Sequence, residues 1–516
     1  MAAAHAAVAG TGGGIGELRG DEKGEEDEDE DEEGEGEGEM VSKRLFCCVL
    51  GLVPFSALAE HKQGDHLKNV VVVLVDDLGW TDLACYGSEF HDTPHIDKLA
   101  ARGTRFTQAY AASPVCSPTR AALMTGRDPV RLGITDWIPG HRVPPGRILE
   151  TPPVRSELAP DEMTLGELYQ EHGYTTGYFG KWHLGMDEAY WPEHRGFDVN
   201  KGGIAVGTPP GGYYSPYNNP RLEDGPEGEY LTNRLTDEAI AFMRGTRDAP
   251  FLVYLAFYSV HGPIQGYDKW DAYYEAKSES LPAEVREAYE IEGIARTRLH
   301  QSDPLYAAMV RAVDDNVGRL LAELEALGLA ERTVVGFTSD NGGMSTRRGR
   351  NLAPTSNKPL RAGKSWGYEG GLRVPLIIRA PDHPHPGADS EQTSISMDLM
   401  PTLLDLTGLP PRPDLHLDGI SLAPAVADPG HTEARTLTWH YPHYHTYGWT
   451  PGSAIRAGDW KMLLFYETGN RQLYNLAEDI GETRDLANQH PRRLDELTDL
   501  LNERLDAMGA ERPQRR

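Results

Sequence analysis

Five short, uninterrupted apolar runs set the limits on what this chain can fold into: Asn69–Val75 (NVVVVLV), 175–179, 251–258 (FLVYLAFY), 333–338 (TVVGFT) and 374–379 (VPLIIR). Runs of this length without polar alternation suit strands covered on both faces. Between them lie stretches of helical periodicity at 96–102, 165–171, 305–327 and 397–406. The alternation predicts an α/β fold, with a large, mixed, mostly parallel sheet sandwiched by helices. Near residue 430 the texture changes. A hairpin is expected from 462–466 and 472–476 around Gly469-Asn470, then a helix with Leu494, Leu497, Leu501, Leu505 and Met508 on one face. With 516 residues the chain exceeds what one core sustains. The expectation is therefore a larger domain at 60–430 and a smaller C-terminal α+β subdomain at 431–516, with an antiparallel sheet and a final helix. The stretch 207–228, rich in Gly, Pro and Tyr, is of a length usual for a functional loop.

Hydrophobic residues at 39% and charged residues at 25% fit a soluble globular protein. The net charge of −29 is unevenly placed: residues 1–39 hold 15 acidic and 2 basic side chains, which leaves −16 for residues 40–516. Segment 1–39 cannot bury apolar surface and is expected to be disordered, upstream of a second start at Met40. Residues 40–59 then read as a signal peptide, with Lys43-Arg44, an apolar run and a closing Ala57-Leu58-Ala59. The run is shorter than the ~20 residues of a spanning helix, and Pro54 interrupts it, so no stable membrane insertion is expected. Export to the periplasm or medium follows from that reading. The acidic balance disfavours nucleic acid as a partner. Once Cys47 and Cys48 leave with the leader, Cys85 and Cys116 remain, too few for a disulfide framework.

In open α/β sheets ligands bind beyond the carboxyl ends of the strands. The first run is followed by Asp76 and Asp77, the second by Lys181-Trp182-His183, the third by His261 and the fourth by Asp340-Asn341. Asp76, Asp77, Asp340 and Asn341 form an all-oxygen donor set suited to a hard cation, Ca2+ first and Mg2+ second. Asp314-Asp315 falls in a helical pattern and reads as a solvated face.

Cys116 stands in Ser113-Pro114-Val115-Cys116-Ser117-Pro118-Thr119-Arg120, followed by Thr125-Gly126-Arg127. Ser117 as N-cap and Pro118 at the first helical position predict a helix whose free N–H groups face the cysteine, a ready anion site with Arg120 one turn on. Cys-x-Pro-x-Arg with this flank resembles the signature of type I sulfatases, members of the alkaline phosphatase superfamily. Further motifs carry the likeness along the chain: Asp76 to Trp80, Lys181 to Gly185, Gly363-Lys364, Glu369-Gly370-Gly371 and Leu473 to Leu476.

The resemblance implies a sulfuric ester hydrolase in which a maturation enzyme converts Cys116 to Cα-formylglycine. It implies that Asp76, Asp77, Asp340 and Asn341 bind the cation with residue 116, and that Arg120 and Lys181 hold the formylglycine. His183, His261 and Lys364 then handle protons and sulfate. His261, helped by Lys364, is assigned as the acid and His183 as the base, with the reverse pairing of the histidines left open. Asp136, Trp137, His141, Arg142 and His443 are expected to rim the pocket and meet a sulfated carbohydrate, with His440 and His445 in the same cluster. Two other readings stand: a phosphomonoester or phosphonate hydrolase of the superfamily, and a non-catalytic sulfoglycan-binding protein with an unmodified Cys116.

Overall fold

The computed structural model describes residues 67–141, 143, 145–415 and 417–516. The acidic segment 1–39, the expected leader at 40–59 with Cys47 and Cys48, and Arg142 lie outside the described residues.

An eight-stranded sheet forms the centre, in the order Ala388–Ser390, Thr104–Phe106, Leu376–Arg379, Thr333–Ser339, Asn69–Val75, Phe251–Ala256, Thr175–Gly180 and Val199–Lys201. The last five run parallel. Leu376–Arg379 is antiparallel to Thr333–Ser339, and Thr104–Phe106 is antiparallel to Leu376–Arg379. The central strand Asn69–Val75 shows why its sequence does not alternate. Val71, Val73 and Val75 pack under the helices Leu231–Thr246 and Pro304–Ala326, while Val70, Val72 and Leu74 pack under Cys116–Thr125, Leu165–Glu171 and Leu399–Thr407. Both faces are covered, so both sets must be apolar.

Two local expectations are corrected. The run 374–379 contributes a strand only from Leu376, because Pro375 has no N–H to give and its carbonyl accepts from the Thr338 hydroxyl. Asp314 is not on a solvated face: it is fully buried, and its Oδ1 accepts the N–H groups of His95 and Ile96 at 2.9 and 2.8 Å, capping the helix Pro94–Ala100 from the side. Asp315, half-buried, pairs with Lys269 and Arg311.

The C-terminal part is an antiparallel sheet in the order Thr436–Tyr441, Gly452–Ala457, Trp460–Phe465 and Arg471–Asn475. The helix Pro491–Ala507 lays Leu494, Leu497, Leu501 and Leu505 on Ile455, Met462 and Leu473. Truncating one such leucine to alanine costs about 2–5 kcal/mol. The opposite face carries Leu437, Trp439, Tyr441 and Leu463 onto Tyr110, Val115 and Ala122. The second sheet therefore backs directly onto the helix that begins at Cys116.

Candidate active site

The parallel register pairs Val75 with Ser339, so the residues that follow emerge side by side from neighbouring strands. Asp77 N–H donates to Asp340 Oδ1 at 3.1 Å, and Asn341 Nδ2 donates to Asp77 Oδ1 at 2.8 Å. Asp77 and His183 both hold φ of 62°, a left-handed conformation that costs a non-glycine residue energy and persists where surrounding structure enforces it. Such strain concentrates at sites of function.

The helix Cys116–Thr125 begins at Cys116 itself, with Val115 as N-cap, two residues earlier than the sequence suggests. Ser117 does not cap it; its hydroxyl accepts the N–H of Ile138 instead. The Cys116 thiol donates to Asp76 Oδ1 at 3.7 Å, and Lys364 Nζ donates to Sγ at 3.6 Å. One turn on, Arg120 reaches Asp340 Oδ2 at 2.8 Å and the Lys181 carbonyl at 2.7 Å. Lys181 Nζ lies 2.6 Å from Asp76 Oδ2, and Lys364 Nζ lies 2.7 Å from Asp77 Oδ1. His261 Nε2 lies 3.8 Å from Asp77 Oδ2. The structure thus brings Cys116, Arg120, Lys181, His261 and Lys364 onto the carboxylates of residues 76, 77 and 340.

Electrostatics follow from burial. Burial, with Asp340 beside it, pushes Asp76 up to about 8. Burial also opposes ionisation of Asp77, but the Lys364 ammonium, which also donates to it, outweighs burial and holds that carboxyl well below the usual range. Burial lifts the Cys116 thiol to about 12. Burial and then Lys364 lower His261 to about 3, and burial and Lys181 place His183 well below its ordinary value. Both histidines are neutral here. The carbonyl of Gly262 accepts from His261 Nδ1, and that of Ile138 from His183 Nε2, which fixes the two tautomers. His183 Nδ1 is left buried with no partner.

A hard divalent cation fits this donor set. Asn341 Oδ1 is buried without a hydrogen bond while its amide N donates to Asp77 and to Gly342 O. Burial and the like charge of Asp340 drive Asp76 towards neutrality even with Lys181 2.6 Å away, and a divalent cation would relieve that repulsion. Ligand atoms of Asp76, Asp77, Cys116 and His261 lie within 4.8 Å of one another. Asp76, Asp77, Asp340 and Asn341 would hold the ion.

Cys116 opens into a pocket of about 440 Å³. Of the expected rim residues, Trp137 and His141 line it. Asp136 stands behind them, fully buried, accepting the N–H groups of Trp137 and His141 and the Tyr441 hydroxyl. His443 is turned away, its Nε2 on the Thr135 hydroxyl, and His440 bonds Ser453 and the Glu511 carbonyl. The imidazole the C-terminal part delivers is His445, edge-on to His141 with ring centres 4.4 Å apart. Met186, Val206 and Tyr447 also line the pocket and carry no motif that would have marked them. Gly207, at the head of the flagged loop, has its reason: a Cβ there would sit 2.5 Å from the His183 ring.

The sequence matches the Sulfatase family model over residues 68–409, and the model of the N-sulphoglucosamine sulphohydrolase C-terminal region over residues 362–511. It is 34% identical to N-acetylgalactosamine-6-sulfatase of Rattus norvegicus over 397 residues, 72% of this chain and 68% of that protein. It is 32% identical to Arylsulfatase A of Homo sapiens over 458 residues, 81% of this chain and 83% of that protein. Among solved structures, that of Ps i-CgsB in complex with k-i-k-neocarrahexaose superposes with a TM-score of 0.67 at 29% identity, covering 85% of this chain and 92% of that chain. The chain therefore belongs to the sulfatase family, within the alkaline phosphatase superfamily, and is a sulfuric ester hydrolase.

Proposed function

We propose that this enzyme removes sulfate from a sulfated carbohydrate, with Cys116 matured to Cα-formylglycine and with Ca2+, or secondarily Mg2+, held by Asp76, Asp77, Asp340 and Asn341. The observation that carries the reading is the position of Cys116: first residue of a helix, between Asp76 and Lys364, at the floor of an open pocket. The matured residue supplies two hydroxyls on one carbon, one to displace the alcohol from sulfur and one to let sulfate depart; the cation supplies charge neutralisation at the sulfate oxygens.

The chain's own residues do the rest. Lys181 and Lys364 place ammonium groups around residue 116, and the helix N-terminus adds free N–H groups, so negative charge on the ester is met by preorganised donors. Burial opposes the charge on Lys364, but Asp77 outweighs it and keeps the ammonium protonated far above neutrality. Lys364 thus holds a proton beside the reacting atom at rest, whereas His261 Nε2, unprotonated in the resting site, donates only after an anion has entered and the ring has itself taken up a proton. His183, with Nδ1 unprotonated and without a partner, lines the same pocket as Cys116 and is our candidate to accept a proton from residue 116. Trp137, His141, His445 and Tyr447 offer stacking and hydroxyl-binding groups to a sugar, in keeping with the N-acetylgalactosamine-6-sulfatase and neocarrahexaose-bound relatives. Arg142 is kept as a candidate on its place in the sequence alone, and His443, held on Thr135, is not.

Because Cys116 is only 3% exposed, its conversion must precede final folding, which makes a formylglycine-generating enzyme a partner during biosynthesis. No helix among the described residues is long and apolar enough to cross a membrane. The leader at 40–59 supports export to the periplasm or medium, with 60–430 as the catalytic domain and 431–516 as the subdomain that backs it. The test is turnover of paired sulfate and phosphate monoesters, with and without a chelator. Sulfate release that exceeds phosphate release, is lost to chelator and is restored by Ca2+ is expected. Preference for phosphate, or indifference to chelator, would contradict the proposal.

A further inference from the structure

The two loops that wall one side of the active pocket also wall a second groove. Lys364 and Tyr447 face the pocket; two residues from the first and one from the second, Trp366 and Gly448 line a separate groove of about 370 Å³. Its wall is aromatic, with Trp366, Tyr368 and Phe465, and its rim is polar, with Arg147, Asn470 and Gln472. Trp366 and Tyr368 stack with ring centres 6.1 Å apart at 20°. Gly448 is a glycine of necessity: φ is 116°, and a Cβ would meet Trp366 at 2.9 Å. A side chain there would drive into the indole that walls the groove.

The charge is selective. In a protein that is strongly acidic overall, Arg147 has no ion pair among the described residues; its guanidinium lies over the Tyr444 ring at 4.7 Å. Arg361, the other arginine of the groove, is neutralised by a two-pronged contact with Glu292 at 2.8 Å on both arms. Trp366 Nε1–H is buried without a partner. An aromatic wall, amide side chains on the rim and one uncompensated guanidinium are the equipment for an anionic sugar, which presents C–H faces, hydroxyls and a sulfate or carboxylate together.

We propose that this groove is a distal subsite for the same saccharide chain whose terminal sulfate ester enters the pocket at residue 116, with Arg147 receiving an anionic group on a sugar further along. The proposal rests on the carbohydrate reading given above. It requires affinity to grow with chain length, through residues that take no part in the reaction.

Binding to Cys116→Ala protein tests it, because that variant cannot mature or turn over. Disaccharides and hexasaccharides cut from sulfated galactan, chondroitin sulfate and heparin are titrated by calorimetry. In at least one series the hexasaccharide is expected to bind ten-fold or more tighter than the disaccharide, and Arg147→Ala or Asn470→Ala to erase most of that difference. Both side chains lie at the surface, and a thermal melt of each variant confirms folding. Equal affinity at both lengths in all three series, or a length effect untouched by both substitutions, would overturn the subsite. Aryl sulfate turnover by the matured wild-type enzyme probes the parent reading separately, since so small a substrate does not extend into the groove.

Discussion

At the scale of single residues, the structure shows what burial does to acids with and without a cation in close contact. Asp77 is buried and ionised because Lys364 touches it; Asp314 is buried with Oδ2 unsatisfied, and burial lifts its pKa to about 7. In the unfolded chain the Asp314 carboxyl titrates near 3.8, so between about pH 4 and pH 7 the folded state holds a proton that the unfolded state has lost. Stability therefore falls as pH rises through that window and is fully penalised above it. Asp314→Asn keeps an oxygen for the N–H groups of His95 and Ile96 and removes the titration. Melting curves of the variant are expected to lose a pH slope worth on the order of a few kcal/mol across the window. A slope unchanged from wild type would show that Asp314 is ionised in the native state.

At the scale of elements, the seam between the two sheets holds the loop that carries Lys364. Five residues after it, Glu369 opens a short helix and is gripped by Lys461 at 2.9 Å, Arg373 at 2.8 Å and the Tyr110 hydroxyl at 2.8 Å. Glu482 accepts the Glu369 N–H at 2.6 Å and also meets Lys461, at 3.0 Å. All of these side chains are buried. Lys461→Met leaves two carboxylates facing each other without their shared cation, and removing one partner of a buried ion pair costs about 3–5 kcal/mol. Denaturant unfolding should register that loss together with a lower kcat, since the Lys364 loop loses its anchor. A loss below about 1 kcal/mol would mean that the carboxylates are neutral or hydrated in the native seam.

The same scale separates what the sequence makes legible from what it does not. The parallel strands announce themselves because both faces are covered, and the residues at their carboxyl ends follow from topology. The capping role of Asp314 is invisible because its partners, His95 and Ile96, are more than two hundred residues away. Ser117 looks like an N-cap by type, yet the helix starts two residues sooner and the hydroxyl serves Ile138. Likewise, spacing cannot choose among His440, His443 and His445. Which imidazole reaches the pocket depends on how the turn after Thr436–Tyr441 meets Thr135 and His141, a tertiary matter.

At the scale of the molecule, the fold concentrates cationic side chains where the surface is acidic. Even without residues 1–39 the chain carries −16, which repels a sulfate ester at long range, and screening at physiological salt confines that repulsion to about 8 Å. Within that distance Lys181, Lys364 and the N-terminus of the helix Cys116–Thr125 dominate. The central claim is that residue 116 is the precursor of the nucleophile at this junction. Mass spectrometry of the peptide containing residue 116, from protein made in its native host and digested without prior alkylation, tests it most directly. The account predicts an aldehyde, one sulfur lost and one oxygen gained, in the fraction that releases sulfate. A free thiol at residue 116 in fully active protein would contradict it.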